Sequence, residues 1–77
     1  MRYKLVETEL DVPEYKYSEE FDTHEEAYER MRMMYHDLIK DGCGGDGPIS
    51  KSGIYENSAY VEMIDDNVIS WDIYELP

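Results

Sequence analysis

The most constraining feature of the sequence is a single capped amphipathic helix that follows Phe21. Residues 22–26 read DTHEE and hold two overlapping capping boxes, one led by Asp22 and one by Thr23. Helical spacing then places an apolar stripe on one side and charged residues on the other. The stripe consists of Ala27, Met31, Met34, Tyr35 and Leu38, with Tyr28 at its edge. Gly42 is a typical helix end, so one helix must find another layer to cover its stripe.

Four other segments alternate with a period of two, which is typical of half-buried strands. Residues 3–10 and 15–21 precede the helix and flank a turn at Pro13, whereas residues 59–64 and 69–74 follow it and flank a turn at 65–67. The order predicts an α+β fold of ββαββ type, a four-stranded antiparallel sheet with the helix packed on one face. A chain of 77 residues holds one core, so residues 1–77 form a single domain.

The alternation also predicts which strand residues the helix covers. The expected covered set is Val6, Leu10, Ala59, Val61, Met63, Ile69, Trp71 and Ile73. The expected open face carries Tyr3, Leu5, Glu7, Glu9, Tyr60, Glu62, Asp72 and Tyr74, a mixture of tyrosines and carboxylates with almost no base. Both sets depend on the register, because a shift of one residue exchanges the two faces of a strand.

Residues 42–53 hold all five glycines and Pro48, and they predict a loop of about a dozen residues that is either functional or mobile. The segment is no phosphate-binding loop, because no Gly-Lys-Ser/Thr follows, and it lacks the ligand spacing of an EF-hand. Cys43 is the one cysteine of the chain, so an internal disulfide is excluded.

No constellation of residues indicates catalysis. His24 and His36 are twelve positions apart and do not form the i, i+4 pair of a helical metal site. Cys43 would need a base and an orienting group to act as a nucleophile. We therefore predict a non-enzymatic protein with no catalytic residue, no cofactor and no metal; an enzyme that depends on Cys43 or a histidine is the remaining alternative.

The net charge of −12 comes from 19 acids against 7 bases. Such a chain is repelled by nucleic acid and by anionic membrane surfaces, so neither is an expected direct partner. No apolar run reaches the roughly 20 residues of a membrane span and no signal peptide opens the sequence, which predicts a cytoplasmic location. Residues 5–29 hold ten acids and one base, and residues 52–77 hold six acids and no base.

Concentrated carboxylates suggest a partner with a cationic surface. Alternate strand residues lie about 6.6–6.8 Å apart, so a row of glutamates resembles a sparse row of phosphates, which follow each other at about 3.4 Å along a strand of DNA. We expect a basic, nucleic-acid-binding protein as the partner, with tyrosines adding contact area. The candidate partner-binding residues are Glu7, Glu9, Glu19, Glu20, Glu25, Glu26, Glu29, Tyr60 and Tyr74.

Four segments resemble small acidic proteins of bacteria, their phages and mobile elements. These are YKLVE at 3–7, FDTHEEAY at 21–28, SAYV at 58–61 and WDIYE at 71–75, and in layout they cover most of the chain. Some proteins of this kind are inhibitors, among them anti-CRISPR and anti-restriction proteins that occupy the nucleic-acid channel of a nuclease. The resemblance implies a phage-type inhibitor acting in the cytoplasm of a bacterial host.

The alternative function is self-association. On this interpretation the chain is a small domain that forms a homodimer through its open sheet face, and the acidic residues serve only to keep a tyrosine-rich surface soluble.

Overall fold

The computed structural model describes residues 2–40, 49–64 and 66–77, which form one antiparallel sheet and one helix. The elements are β1 Arg2–Glu9, β2 Val12–Phe21, α1 His24–Lys40, β3 Ile49–Ile54, β4 Ser58–Met63 and β5 Val68–Leu76. The strand order is β2-β1-β5-β4-β3, so the first and last strands of the chain lie side by side in the middle of the sheet. The α+β class is as predicted.

The predicted four-stranded ββαββ layout is wrong, because the sheet has a fifth strand, β3, within the predicted loop. β3 pairs with β4 and sets Ile54 opposite Ala59. Gly53 is a residue typical of loops, but here it lies within β3. A Cβ at this position would be 2.9 Å from the Tyr55 hydroxyl and 3.0 Å from the Tyr60 ring. The glycine therefore allows these two rings to approach the backbone of the strand closely. The rest of the predicted loop, residues 42–48 with Cys43, lies outside the described residues.

The helix is as predicted, and it begins with the capping box of Thr23. The Thr23 hydroxyl accepts a hydrogen bond from the Glu26 backbone N–H at 3.2 Å and donates to the Glu26 carboxylate at 3.1 Å. Ala27, Met31 and Tyr35 are buried against the sheet. Within the described part of the chain, no helix combines the length and the apolar character that a membrane crossing requires.

The core lies between α1 and the strands β1, β5 and β4. All six residues predicted to be covered on β4 and β5 are buried: Ala59, Val61, Met63, Ile69, Trp71 and Ile73. Tyr35 meets Trp71 edge to face, with ring centroids 6.2 Å apart. Burying large apolar side chains of this kind stabilises a fold by about 1.5–3 kcal/mol each before conformational entropy is counted.

The face assigned to β1 is wrong by one residue. Leu5 is 2% exposed in the core, whereas Leu10 is 63% exposed in the turn after the strand. Leu5 and Glu7 lie opposite Ile73 and Trp71, which face the helix. The odd-numbered residues of β1 therefore point to the helix and the even-numbered residues to the open face, where Val6 is buried as predicted but not by the helix. The physical reason is that the buried Trp71 ring N–H needs an acceptor, and Glu7 Oε1 accepts from it at 2.9 Å.

Two turns at one end of the sheet are joined by Asn67, which is buried. Its Oδ1 accepts from the Asp11 N–H at 3.0 Å, and its Nδ2 donates to Glu9 at 3.1 Å. The predicted turn between β4 and β5 is present, with Asp66 in the left-handed region at a φ of 74°; Asp65 lies outside the described residues. The first turn falls at residues 10–11 rather than at Pro13, which lies within the edge strand β2, where a missing N–H is tolerated.

Replacing Leu5 with alanine tests the corrected face of β1. We expect Leu5→Ala to lower the free energy of unfolding by about 2–5 kcal/mol, because it leaves a cavity in the core. The matched control Leu10→Ala removes the same atoms from an exposed site and changes stability by less than about 0.5 kcal/mol. Urea denaturation measures both, and a larger loss for Leu10→Ala would contradict the register.

Candidate partner-binding surface

The structure distributes the nine predicted binding residues over three places. The open face of the sheet carries Glu20, Tyr60 and Tyr74. The strand positions that face the helix layer carry Glu7, Glu9 and Glu19. Helix α1 carries Glu25, Glu26 and Glu29. The nine residues therefore form no single surface, because the sheet lies between the first group and the other two.

The open face carries most of the bases, contrary to the expectation that it has almost none. The corrected face of β1 brings Lys4 to it, and the unpredicted strand β3 brings Lys51. Its charged residues are Arg2, Lys4, Lys16 and Lys51 against Glu20, Glu62 and Asp72. The rest of the described chain holds three bases and thirteen acids. The negative charge is thus segregated away from the open face.

Arginines neutralise three of the predicted acids locally. Glu19 lies 3.3 Å from the Arg30 Nε, and Glu20 lies 3.5 Å from Arg2. Glu29 receives two hydrogen bonds from Arg32, at 3.3 and 3.0 Å. Exposed pairs like these add little to stability, but each removes most of the field of its carboxylate. These three acids are weak candidates for attracting a cationic partner.

Glu7 and Glu9 are positioned by hydrogen bonds from neutral donors. Besides the Trp71 ring N–H, Glu7 accepts from the Tyr15 hydroxyl at 3.1 Å. Desolvation raises the pKa of the Tyr15 hydroxyl, and its hydrogen bond to the Glu7 carboxylate is the second largest cause of the increase. Both acids therefore have a structural role at the edge between helix and sheet.

The flank of α1 beside β2 is of mixed charge. A cleft of about 590 Å³ lies there between Phe21 and the helix. It is lined by Glu26 and Glu29, but also by Arg30 and Arg32. Because both signs alternate along this flank, it does not present a continuous anionic surface.

A surface without Lys or Arg lies at the amino-terminal end of α1. Two adjoining clefts of about 530 and 520 Å³ meet there and share His24 and Glu56. We call their combined lining the acidic cleft. Its residues are Tyr3, His24, Glu25, Tyr28, Ile54, Tyr55, Glu56, Asn57, Ile73 and Glu75. Three carboxylates and three tyrosines therefore contribute to the lining of the two clefts.

The rings of the acidic cleft are held in place by the elements that meet there. His24 Nε2 lies 2.7 Å from Asn57 Oδ1, which ties the start of α1 to the turn between β3 and β4. The His24 ring meets Tyr3 edge to face at 5.6 Å and stacks on Tyr28 at 6.5 Å. The exposed Tyr55 ring instead stacks on Tyr60 at 6.5 Å, so it lies toward the open face.

Glu25 is the one predicted binding residue that lines the acidic cleft. Sequence reasoning missed Glu56, Glu75 and Tyr55 because it lacked β3, and with it the β3–β4 turn that carries Tyr55 and Glu56. The available signal was the absence of any base after Lys51.

The acidic cleft has the chemistry of a receptor for a positively charged side chain. Carboxylates supply the opposite charge, and tyrosine ring faces attract ammonium and guanidinium groups. Across residues 2–40, 49–64 and 66–77, no group of three or more His, Cys, Asp and Glu side chains is placed to hold a metal ion.

Comparison of the chain with protein-family models, with curated proteins and with solved structures finds no match.

The contact between Glu29 and Arg32 should be measurable in the titration of the Glu29 carboxyl. The two hydrogen bonds from Arg32, and then its positive charge, lower the pKa of the Glu29 carboxyl. A lowered folded-state pKa means that the pair supports the helix above the unfolded-state value and is lost as the pH falls through the folded-state value.

We expect an NMR titration of the Glu29 side chain to give an inflection below the usual glutamate range. Arg32→Ala should return the inflection to that range, and Arg32→Lys should leave it between the two, since it keeps the charge without the forked donor. An unchanged Glu29 titration in Arg32→Ala would contradict the pair.

Proposed function

We propose that the chain is a non-enzymatic binding protein that attaches its acidic side to a cationic surface of another protein. The observation that supports this proposal best is the segregation of charge: thirteen acids and three bases lie off the open face, against three acids and four bases on it. Acidity needed only for solubility has no reason to be distributed so unevenly relative to the bases. A segregated field steers a partner of opposite charge into one orientation.

The acidic cleft is the proposed point of attachment. A lysine or arginine of the partner enters between Glu25, Glu56 and Glu75, beside the rings of Tyr3 and Tyr28. Exposed tyrosines are common at the centre of interfaces, because they bury much area with few rotatable bonds. The surrounding acids then contribute mainly to the rate of association.

The proposed partner is a nucleic-acid-binding protein of the bacterial cytoplasm. Surfaces that bind nucleic acid are arrays of lysine and arginine, so they attract an anionic protein by the same field. The layout resemblance narrows the class to a defence nuclease such as a CRISPR effector, which the chain would inhibit by occupying the channel of the nucleic acid. In this role it acts as a mimic of nucleic acid.

Neutralising the acidic cleft tests this function. In a DNA-cleavage assay with a purified guide-loaded CRISPR effector, we expect the chain to inhibit cleavage, and more strongly at low than at physiological salt. The variant with Glu25→Gln, Glu56→Gln and Glu75→Gln should weaken inhibition at least tenfold, chiefly through slower association.

The matched control neutralises three acids at the other end of the sheet, with Glu14→Gln, Glu62→Gln and Asp66→Asn. It changes the net charge equally and should retain most of the inhibition. Equal losses in the two triple variants would refute the acidic cleft as the contact. Binding that does not change with salt, measured on the same effector, would refute the electrostatic proposal itself.

A further inference from the structure

The side chains on the open face of the sheet are arranged in a regular pattern across the strands. Three rows of paired residues cross it from β2 through β1 and β5 toward β4. The rows are Glu20–Lys4–Tyr74, Ser18–Val6–Asp72–Ser58 and Lys16–Thr8–Ser70–Tyr60. The hydrogen bond between Thr8 and Ser70, 3.1 Å long, crosses from β1 to β5 at the middle of the last row.

The first and last rows are similar in chemistry on the two sides of the line between β1 and β5, whereas the middle row sets Val6 against Asp72. In two rows a lysine on one side of the line corresponds to a tyrosine on the other, Lys4 to Tyr74 and Lys16 to Tyr60. The inner hydroxyls of Thr8 and Ser70 correspond to each other in the same way. Next to these rows, Leu10 donates its N–H to the Val68 carbonyl at 2.9 Å, so an apolar pair extends the pattern.

A surface with this symmetry fits a second copy of itself. In a two-fold contact, residue i of one copy meets residue j of the other, and j meets i. The two-fold axis runs parallel to the strands, in the interface and above the line between β1 and β5. Rotation about it sets each lysine over its corresponding tyrosine in the other copy. A lysine over a tyrosine ring is attractive, and Leu10 then meets Val68 of the second copy.

Charge and area both favour this face for self-association. Two chains of net charge −12 repel each other through their acidic sides, whereas the open face carries four bases against three acids. The two larger extents of the chain are 39 and 24 Å, so the projected area of one face is at most about 900 Å². That area is of the order of the roughly 800 Å² that each partner contributes to a standard interface.

We propose that the open face binds a second copy of this chain in a two-fold face-to-face dimer, with Lys4 and Lys16 over Tyr74 and Tyr60 of the other copy. The two acidic clefts then lie on the outer sides of the dimer. The proposal does not depend on the identity of any cationic partner.

Sedimentation equilibrium at micromolar concentrations tests the dimer. The unaltered chain should be dimeric, and Lys16→Glu should raise the dissociation constant at least tenfold, because it places a carboxylate over a tyrosine ring. The matched control Lys40→Glu makes the same change in net charge on α1 and should alter the constant less than threefold. A monomeric unaltered chain, or equal effects of the two variants, would overturn the proposal.

Dilution of the unaltered, ¹⁵N-labelled chain gives a second readout that does not require any variant to fold. The amide signals of Thr8 and Ser70 should shift with concentration, while those of Met31 and Tyr35 in α1 stay in place. Shifts confined to α1 or to the acidic cleft would place self-association elsewhere and contradict the dimer.

Discussion

The hydrogen bond from the Trp71 ring N–H to Glu7 is the interaction on which the arrangement of the molecule depends. Trp71 is the largest buried side chain, and its N–H cannot be left without an acceptor in the core. Glu7 lies directly opposite on the neighbouring strand and supplies one at 2.9 Å. With Glu7 turned to the helix side, Leu5 must enter the core and Lys4 must lie on the open face.

The same register separates the charges of the protein. Alternation along β1 sends its carboxylates to the helix side and its basic side chains to the open face. Carboxylates gathered on one side repel each other, and their field adds up over the distances at which salt does not screen it. One side of the molecule is therefore suited to a cationic protein, and the other side is close to neutral and suited to a contact between like copies.

The sequence predicts the parts of this structure that depend on strong local periodicity. The capped helix and the strands β4 and β5 have one clearly apolar face each, so their covered residues follow directly. β1 does not, because Val6 and Leu10 make its even-numbered set look more apolar than Leu5 and Glu7. The decisive contact, with Trp71, comes from a strand 64 residues later.

The sequence does not reveal β3, because Gly53 indicates a loop. In the structure this glycine instead leaves room for the Tyr60 ring of the neighbouring strand. The acidic cleft combines the starts of α1 and β1 with the β3–β4 turn and the end of β5, so only the lack of bases after Lys51 pointed toward it.

The register of β1 is tested most directly by the nuclear Overhauser contacts that its methyl groups make in solution. We expect the Leu5 methyl groups to show contacts to side chains of α1, and those of Val6 and Leu10 to show none. Contacts from Val6 or Leu10 to the Met31 or Tyr35 side chains would contradict this register, because they would place the even-numbered residues of β1 under the helix and return Glu7 to the open face.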